Sequence, residues 1–329
     1  MPRIVRIHKN GGPEVLKIEN LDVSPPGPQE VTIKVRAIGL NRSEAMFRSG
    51  RHIETAHFPA RLGYEASGVI SAIGSGVQGL AVGDAVSVIP PPSVTRWGAY
   101  GEVVTFPAEF IVKHPASLSW TQAAAIWMQN VTAYGALVDI ARLGKGDAVI
   151  ILAASSSVGL AAIQIARAVG AVSIATTRTD AKKKALLDFG ADHVIVTGEE
   201  DLVSRVKEIT GGKGARVAFD PIAGPGIAPL TEALSQYGIL IVYGFLSVEQ
   251  TPFPLFTAIA KGLTFRGFTF KEIVSDPVRL VKAKRFILEG LDAGLLMPTI
   301  DKIFTFDQIV EAHQYLESNA QFGKIVVTV

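Results

Sequence analysis

Hydrophobic and polar positions change their period partway along the chain, near Thr121. Before that point they alternate in short runs, such as EVTIKVRAI at 30–38 and DAVSVI at 84–89. Turn residues separate them, PPGP at 25–28 and GSG at 74–76. Period two with such punctuation predicts a small antiparallel β barrel or sandwich, opened by an edge strand at 1–8. After Thr121, apolar strand-like runs at 148–152, 172–176, 193–195, 216–220 and 239–244 alternate with helical stretches at 158–169, 180–189, 200–210 and 226–237. That alternation predicts a parallel, doubly wound sheet. A helix at 277–288, an extended 300–306, a helix at 306–317 and a strand at 324–329 read as a return to the β domain.

Residues 148–166, AVIILAASSSVGLAAIQIA, carry the strongest chemical signal. A strand, a tight turn of small residues and a helix place backbone N–H groups and a positive helix end around a pyrophosphate. Ala154, Ser156 and Gly159 occupy the three positions of a G-x-G-x-x-G fingerprint, of which only the last keeps glycine. Serine is small enough for close approach, and its hydroxyl adds a phosphate donor. The stretch is long enough for a membrane span, but three serines, Gln164 and the flanking Asp147 and Arg167 argue against one.

The chain has 329 residues, enough for two domains, and its net charge is +2. That balance gives no electrostatic case for nucleic acid or an anionic membrane. The basic tripeptide at 182–184 reads as a solvated helix face. Cysteine is absent, which excludes disulfides, thiolate metal sites and cysteine nucleophiles. With no charged-then-apolar leader at the start, a soluble cytoplasmic protein is the expectation.

Several separated motifs point to one family. VQGLAVGDAV at 77–86, GYEASG at 63–68, GAYGE at 98–102, AAA at 123–125 and TAY at 132–134 resemble the medium-chain dehydrogenase/reductase superfamily. EDLVSRVKEITGGK at 200–213 is similar in order and spacing to its zinc-free, zeta-crystallin-like quinone oxidoreductases. The resemblance implies an α/β chain: a GroES-like β-barrel domain at 1–122 and 267–329, plus a Rossmann doubly wound parallel-sheet domain at 123–266. It implies NADPH in the cleft between them and a homodimer. The implied activity is zinc-independent hydride transfer from NADPH to a small-molecule quinone or related conjugated carbonyl. Enoyl-thioester reduction and non-catalytic NADPH binding are the alternatives.

Zinc-dependent members carry Cys and His where this chain has Asn41 and Tyr64, and a four-cysteine lobe where IPPPSVTRWG at 89–98 is short and cysteine-free. No metal is therefore expected. Among the six histidines only His52 and His57 lie close in sequence, which suits loop packing.

Cofactor choice is read at the end of the second strand. Thr176, twenty residues after Ser156, stands where an NAD site favours an acid. The chain reads ATTRTDAK at 175–182, so Thr177 and Arg178 follow, and Arg178 presents a planar fork to a 2′-phosphate. Asp180 suits a helix cap. By resemblance, Lys182 contacts the same phosphate and Ser156, Ser157, Val158 and Gly159 surround the pyrophosphate. The resemblance also brings Asn41, Thr132, Tyr243 and Phe245 to the nicotinamide side, and Lys324 back towards the cofactor. A tyrosine common near the adenine ribose is Thr197 here. The similar reductases carry tyrosines where this chain has Met46 and His52. Asn41 and His52 are accordingly the catalytic candidates, with His52 a possible donor to a carbonyl. Hydride transfer needs no protein nucleophile, and Ser155–Ser157 have no evident base.

Overall fold

The computed structural model describes residues 1–329. The chain divides into two compact units, Met1–Met128 with Pro298–Val329, and Gln129–Met297.

In the first unit, one long strand, Glu30–Gly39, organises the sheet. It pairs antiparallel with Glu65–Ile73, Val103–Pro107 and Lys324–Thr328. It can serve three neighbours because Val103–Pro107 pairs with its residues 30–34 and Lys324–Thr328 with 37–39, while against Glu65–Ile73 its register shifts twice, between Thr32 and Ile33 and between Val35 and Ala37. Such bulges increase local twist and let one strand turn a barrel corner. Gly68 is required on the facing strand, since a Cβ there would lie 2.1 Å from the Lys34 carbonyl oxygen. Ala85–Val88, Ile111–Lys113 and Ile300–Thr305 complete a seven-stranded sheet, and Arg3–Ile7 centres a separate three-stranded one. Alternate residues Val31, Ile33 and Val35 enter the core with Ile70, Val86 and Phe106. The chain's final strand returns to this unit, as the hydrophobic pattern suggests.

The second unit contains a six-stranded parallel sheet in the order His193–Val196, Val172–Thr177, Ala148–Ile151, Ala215–Asp220, Leu234–Val242, Thr264–Gly267. The first strand in sequence lies centrally and the connections run outward from it both ways, which is the doubly wound arrangement and creates a crevice at its carboxyl ends. Ile150, Ile174, Ile195, Val206, Leu230 and Leu240 form its core.

Two expectations change and one strand is added. The helix expected over 226–237 ends at Ala233, because Leu234 turns extended and is buried in the sheet. Tyr237 then adopts a left-handed φ of 58° and the register shifts between Ala215 and Val217. The short strand Thr264–Gly267 gave too few residues for a period to show. The stretch 267–297, expected with the barrel, lies in the second unit. Its helix Pro277–Asp292 is capped by Asp276 and buries Leu280, Ala283 and Ile287. Phe286 packs on Tyr134 at 5.0 Å, and Arg279 pairs with Asp139 at 2.6 Å. Amphipathic burial on this unit overrides sequence proximity to the barrel.

Gly159 shows why the turn before Ser157–Val169 is tight. A Cβ there would meet the Ala154 carbonyl oxygen at 2.5 Å and Ala154 Cα at 2.6 Å, both backbone atoms. Gly159→Ala should therefore destabilise by about 1–3 kcal/mol, the usual cost of overpacking. Urea unfolding checks this; an unchanged midpoint would show that the helix can shift at no cost.

Candidate functional site

The strand Ala148–Ile151 ends in a turn at Ala153, which holds a left-handed φ of 47°. The helix Ser157–Val169 follows, and Ser156 is its N-cap, its Oγ accepting from Gly159 N at 3.1 Å. Ser156, Ser157, Val158 and Gly159 thus form the first turn of a 13-residue helix whose N-terminus carries partial positive charge. Lys182 comes to the same loop: its Nζ donates to Ser155 Oγ at 3.2 Å. Thr177 ends the neighbouring strand and donates to the Thr179 carbonyl at 3.0 Å. Arg178 is exposed beside it. Asp180 heads a short 3-10 turn without making a side-chain cap, contrary to its expected role. The cap needs an oxygen aimed at the next turn's N–H groups, and the 3-10 entry does not present them.

Tyr243 and Phe245 lie just past Leu234–Val242. Tyr243 stacks on Phe219 at 4.0 Å, and its N–H donates to the Asp220 carbonyl at 2.9 Å. Burial holds its phenol well above the usual range, so it stays protonated. Phe245 is exposed. Asp220, at the end of its strand, is buried and accepts from Ile222 N at 2.6 Å and Ala223 N at 3.1 Å. Burial raises its pKa, while those two N–H groups oppose the rise. Thr132 is buried in the helix Trp127–Tyr134.

Asn41 and Lys324 meet in the first unit. Lys324 Nζ donates to Asn41 Oδ1 at 2.6 Å and forms an ion pair with Glu65, both charged side chains having no exposed surface. Glu65 Oε2 accepts from Trp127 N and Met128 N at 3.1 Å each. Asn41 caps the helix Arg42–Arg48. Its Nδ2 donates to Glu44 Oε1 at 3.2 Å and to the Gly39 carbonyl at 3.3 Å. An amide nitrogen has two hydrogens, and both are used. Asn41 can offer a bound molecule only the remaining lone pair of Oδ1, so it is an acceptor and not a donor to a carbonyl. Lys324 is likewise committed within this unit.

Glu44, which the sequence reading passed over, is the centre of this network. It accepts from Asn41 N at 2.7 Å, Tyr64 N at 2.9 Å and Tyr100 Oη at 2.5 Å. Tyr100 Oη in turn lies 3.1 Å from His313 Nε2. Because the Tyr100 hydrogen goes to Glu44, His313 donates through Nε2. The only early signal was the N-x-x-E spacing of a capping box at 41–44.

His52 lies 3.1 Å from Ser43 Oγ and 3.3 Å from Tyr64 Oη through Nε2, with Phe47 edge-on at 5.6 Å. Met46 is half-buried nearby on the same helix. Tyr64 is fully buried, and that burial pushes its phenol far above the usual range.

Burial pushes Glu44 up to about 7, against the Tyr100 hydroxyl, Asn41 N–H and Lys324, and pushes His313 down to about 3. The signs differ. Glu44 contributes stability that is full below its ordinary value near 4.5 and is lost as pH rises through about 7. His313 resists protonation when folded, so stability is lost as pH falls from about 6.5 towards 3. The stability difference between wild type and Glu44→Gln should therefore shrink as pH rises from 4.5 to 7. Against His313→Gln it should shrink as pH falls below 6.5. Urea midpoints across pH measure both; parallel curves would mean that neither group titrates this way.

The chain is similar to known proteins along nearly its whole length. Residues 27–116 match the family described as alcohol dehydrogenase GroES-like domain, and 157–282 match that described as zinc-binding dehydrogenase. The chain is 31% identical over 322 residues to quinone oxidoreductase 1 of Escherichia coli (strain K12), covering 97% of each. It is 29% identical to the 2-haloacrylate reductase of Burkholderia sp, covering 98% of this chain and 97% of that protein. The crystal structure of Escherichia coli quinone oxidoreductase complexed with NADPH superposes with a TM-score of 0.91 at 30% identity, covering 99% of this chain and all of that one.

Proposed function

Because the chain belongs to the quinone oxidoreductase branch of the medium-chain dehydrogenase/reductase superfamily, we propose that it transfers a hydride from NADPH to a quinone or a related conjugated carbonyl, without zinc. The observation that carries the reading is the approach of Lys182 to Ser155 on the capped loop before Ser157–Val169. It puts a cation beside a helix N-terminus, which suits a ligand with several phosphates. The donor set fits such a group: serine hydroxyls, backbone N–H groups, and Gly159 where a Cβ would fill the turn. Ser156, Ser157, Val158 and Gly159 would hold the pyrophosphate, with Thr177, Arg178 and Lys182 around the 2′-phosphate. Thr132, Tyr243, Phe245 and the Asn41 acceptor would orient the nicotinamide side, with Lys324 fixing Asn41.

When bound, the cofactor supplies the hydride, so the protein's task is to orient the acceptor and exclude water. Quinones need least help, because their reduction gives an aromatic product. The haloacrylate reductase among the relatives extends the class to other conjugated acceptors. Zinc finds no suitable ligands around Asn41. An amide replaces a thiolate, Tyr64 is a protonated phenol, and the Glu65 carboxylate is taken by Lys324. The zinc in one matching family's description thus does not extend to this donor set.

The same reading makes the protein a cytoplasmic homodimer. No helix is long and apolar enough to cross a membrane. The strand Thr264–Gly267 ends the six-stranded sheet with one side unpaired. Beside it in sequence, the helix Leu255–Lys261 exposes Leu255, Phe256 and Ile259, the last two at 89% and 73%. Such an apolar edge favours association with a second copy.

The test is initial-rate NADPH consumption with a panel of quinones, enones and enoyl thioesters. Quinones and enones should be turned over, with NADPH preferred to NADH and activity kept in chelator. Arg178→Ala with Lys182→Ala should weaken NADPH binding about ten- to a few hundredfold, as expected for losing one or two charge-assisted hydrogen bonds, and hardly affect NADH. Turnover of simple secondary alcohols but of no quinone would defeat the reading, as would equal wild-type affinity for both cofactors.

A further inference from the structure

The helix Pro277–Asp292 turns one face out of the second unit, and apolar residues are exposed along it. Val278 and Val281 are 63% and 65% exposed, and with Pro277, Lys282 and Arg285 they line a shallow groove. Glu289 and Asp292, both exposed, continue the same face towards the helix end. Val278, Lys282, Arg285, Glu289 and Asp292 recur at spacings of four and three, the spacing that lays one helix along another.

The charges on this stripe are ordered, both cations first and both anions after. That order does nothing for the helix itself. The macrodipole favours cations in the last turn, and here that turn has acids and no basic residue. A cation four residues before an acid is also the weaker orientation of such a pair. Neither Lys282 nor Arg285 forms an ion pair with the acids; Arg279 ties the helix to its own unit, through Asp139 and Glu272. The order is instead self-complementary. About a two-fold axis midway between Arg285 and Glu289, an antiparallel second copy sets Arg285 against the partner's Glu289 and Lys282 against the partner's Asp292. The valines then face the segment just past the partner's helix, where Ala293 and Leu295 are exposed. An anionic membrane fits only half of the stripe, because the acids would face it too.

We infer that this face docks antiparallel on the same face of a second copy, through Arg285–Glu289 and Lys282–Asp292 pairs, each made twice. The contact is separate from the sheet edge at Thr264–Gly267. Combined with the homodimer contact read there, it builds an assembly of four. Exposed ion pairs each contribute little. The charge order therefore supplies specificity, and the association is weak and sensitive to salt.

Sedimentation velocity across protein and salt concentrations tests this, on variants checked by circular dichroism. Wild type should show a doubling of mass that high salt removes. Lys282→Glu with Arg285→Glu makes the stripe's charges all acidic, and Glu289→Lys with Asp292→Lys makes them all basic. Each double variant alone should weaken the doubling at least about tenfold, because the facing charges are then alike. An equal mixture of the two should regain it, since every facing pair is again opposite. Phe256→Asp, beside the sheet edge, should leave this doubling in place, so the homodimer reading and this one fail separately. Either double variant doubling as wild type does would overturn the proposal. So would a mixture that stays apart, or a wild-type stripe that captures anionic lipid vesicles and never a second copy.

Discussion

A buried ammonium sets the terms for the first unit. Lys324 and Glu65 have no exposed side-chain surface, and removing two such charges from water costs several kcal/mol per ion unless each finds a full set of partners. The fold supplies them from distant parts of the chain. Lys324 arrives on the last strand, Glu65 opens Glu65–Ile73, and Asn41 caps Arg42–Arg48. The second Glu65 oxygen takes two N–H groups from the first turn of Trp127–Tyr134, donors that a helix start leaves unsatisfied. Losing either ion would strand the other, a change that typically costs about 3–5 kcal/mol. The pair therefore dictates that the C-terminal strand return to Glu30–Gly39, and in no other register.

Satisfying those charges consumes chemical capacity. Asn41 gives its amide oxygen to Lys324 and its hydrogens to Glu44 and Gly39. Glu44 is filled by two backbone N–H groups, the Asn41 amide and Tyr100. Residue types that would suggest acid–base work are thus spent on architecture. What remains able to act on a bound molecule lies at the network's margin, among the half-buried groups. A polar side chain's type reports its chemistry only after its hydrogen bonds have been counted.

That principle also explains what the sequence made legible. The period change near Thr121, the strand–turn–helix at 148–166 and the return of the last strand rest on local apolar patterning, and the parallel sheet and the barrel follow from them. Thr264–Gly267 was too short to show a period, and Pro277–Asp292 chose its unit by an apolar face that composition cannot aim. At the candidate site, Ser156 and Gly159 were visible because the loop and the helix it caps are continuous in sequence, and Lys182 through the family resemblance alone. Glu44, Glu65, Tyr64 and Tyr100 were not, because their meaning arises from contacts 20 to 259 residues apart.

The altered glycine fingerprint shows the same economy at the nucleotide loop. A glycine at 156 would leave the Gly159 N–H free for an anion; Ser156 takes that N–H into its own Oγ. The hydroxyl hydrogen of Ser156 then remains to be donated, so the number of donors at the helix start is unchanged and one of them moves outward by a side chain's length. Ala153 carries the left-handed turn that glycine would adopt without strain, at a cost of about 1–2 kcal/mol. Gly159 alone resists exchange, because the atoms it faces are backbone and cannot move aside. At the fingerprint's first two glycine positions Ala154 and Ser156 can substitute, and the left-handed φ lies one residue earlier, at Ala153. The third position supplies empty space, for which no side chain can substitute.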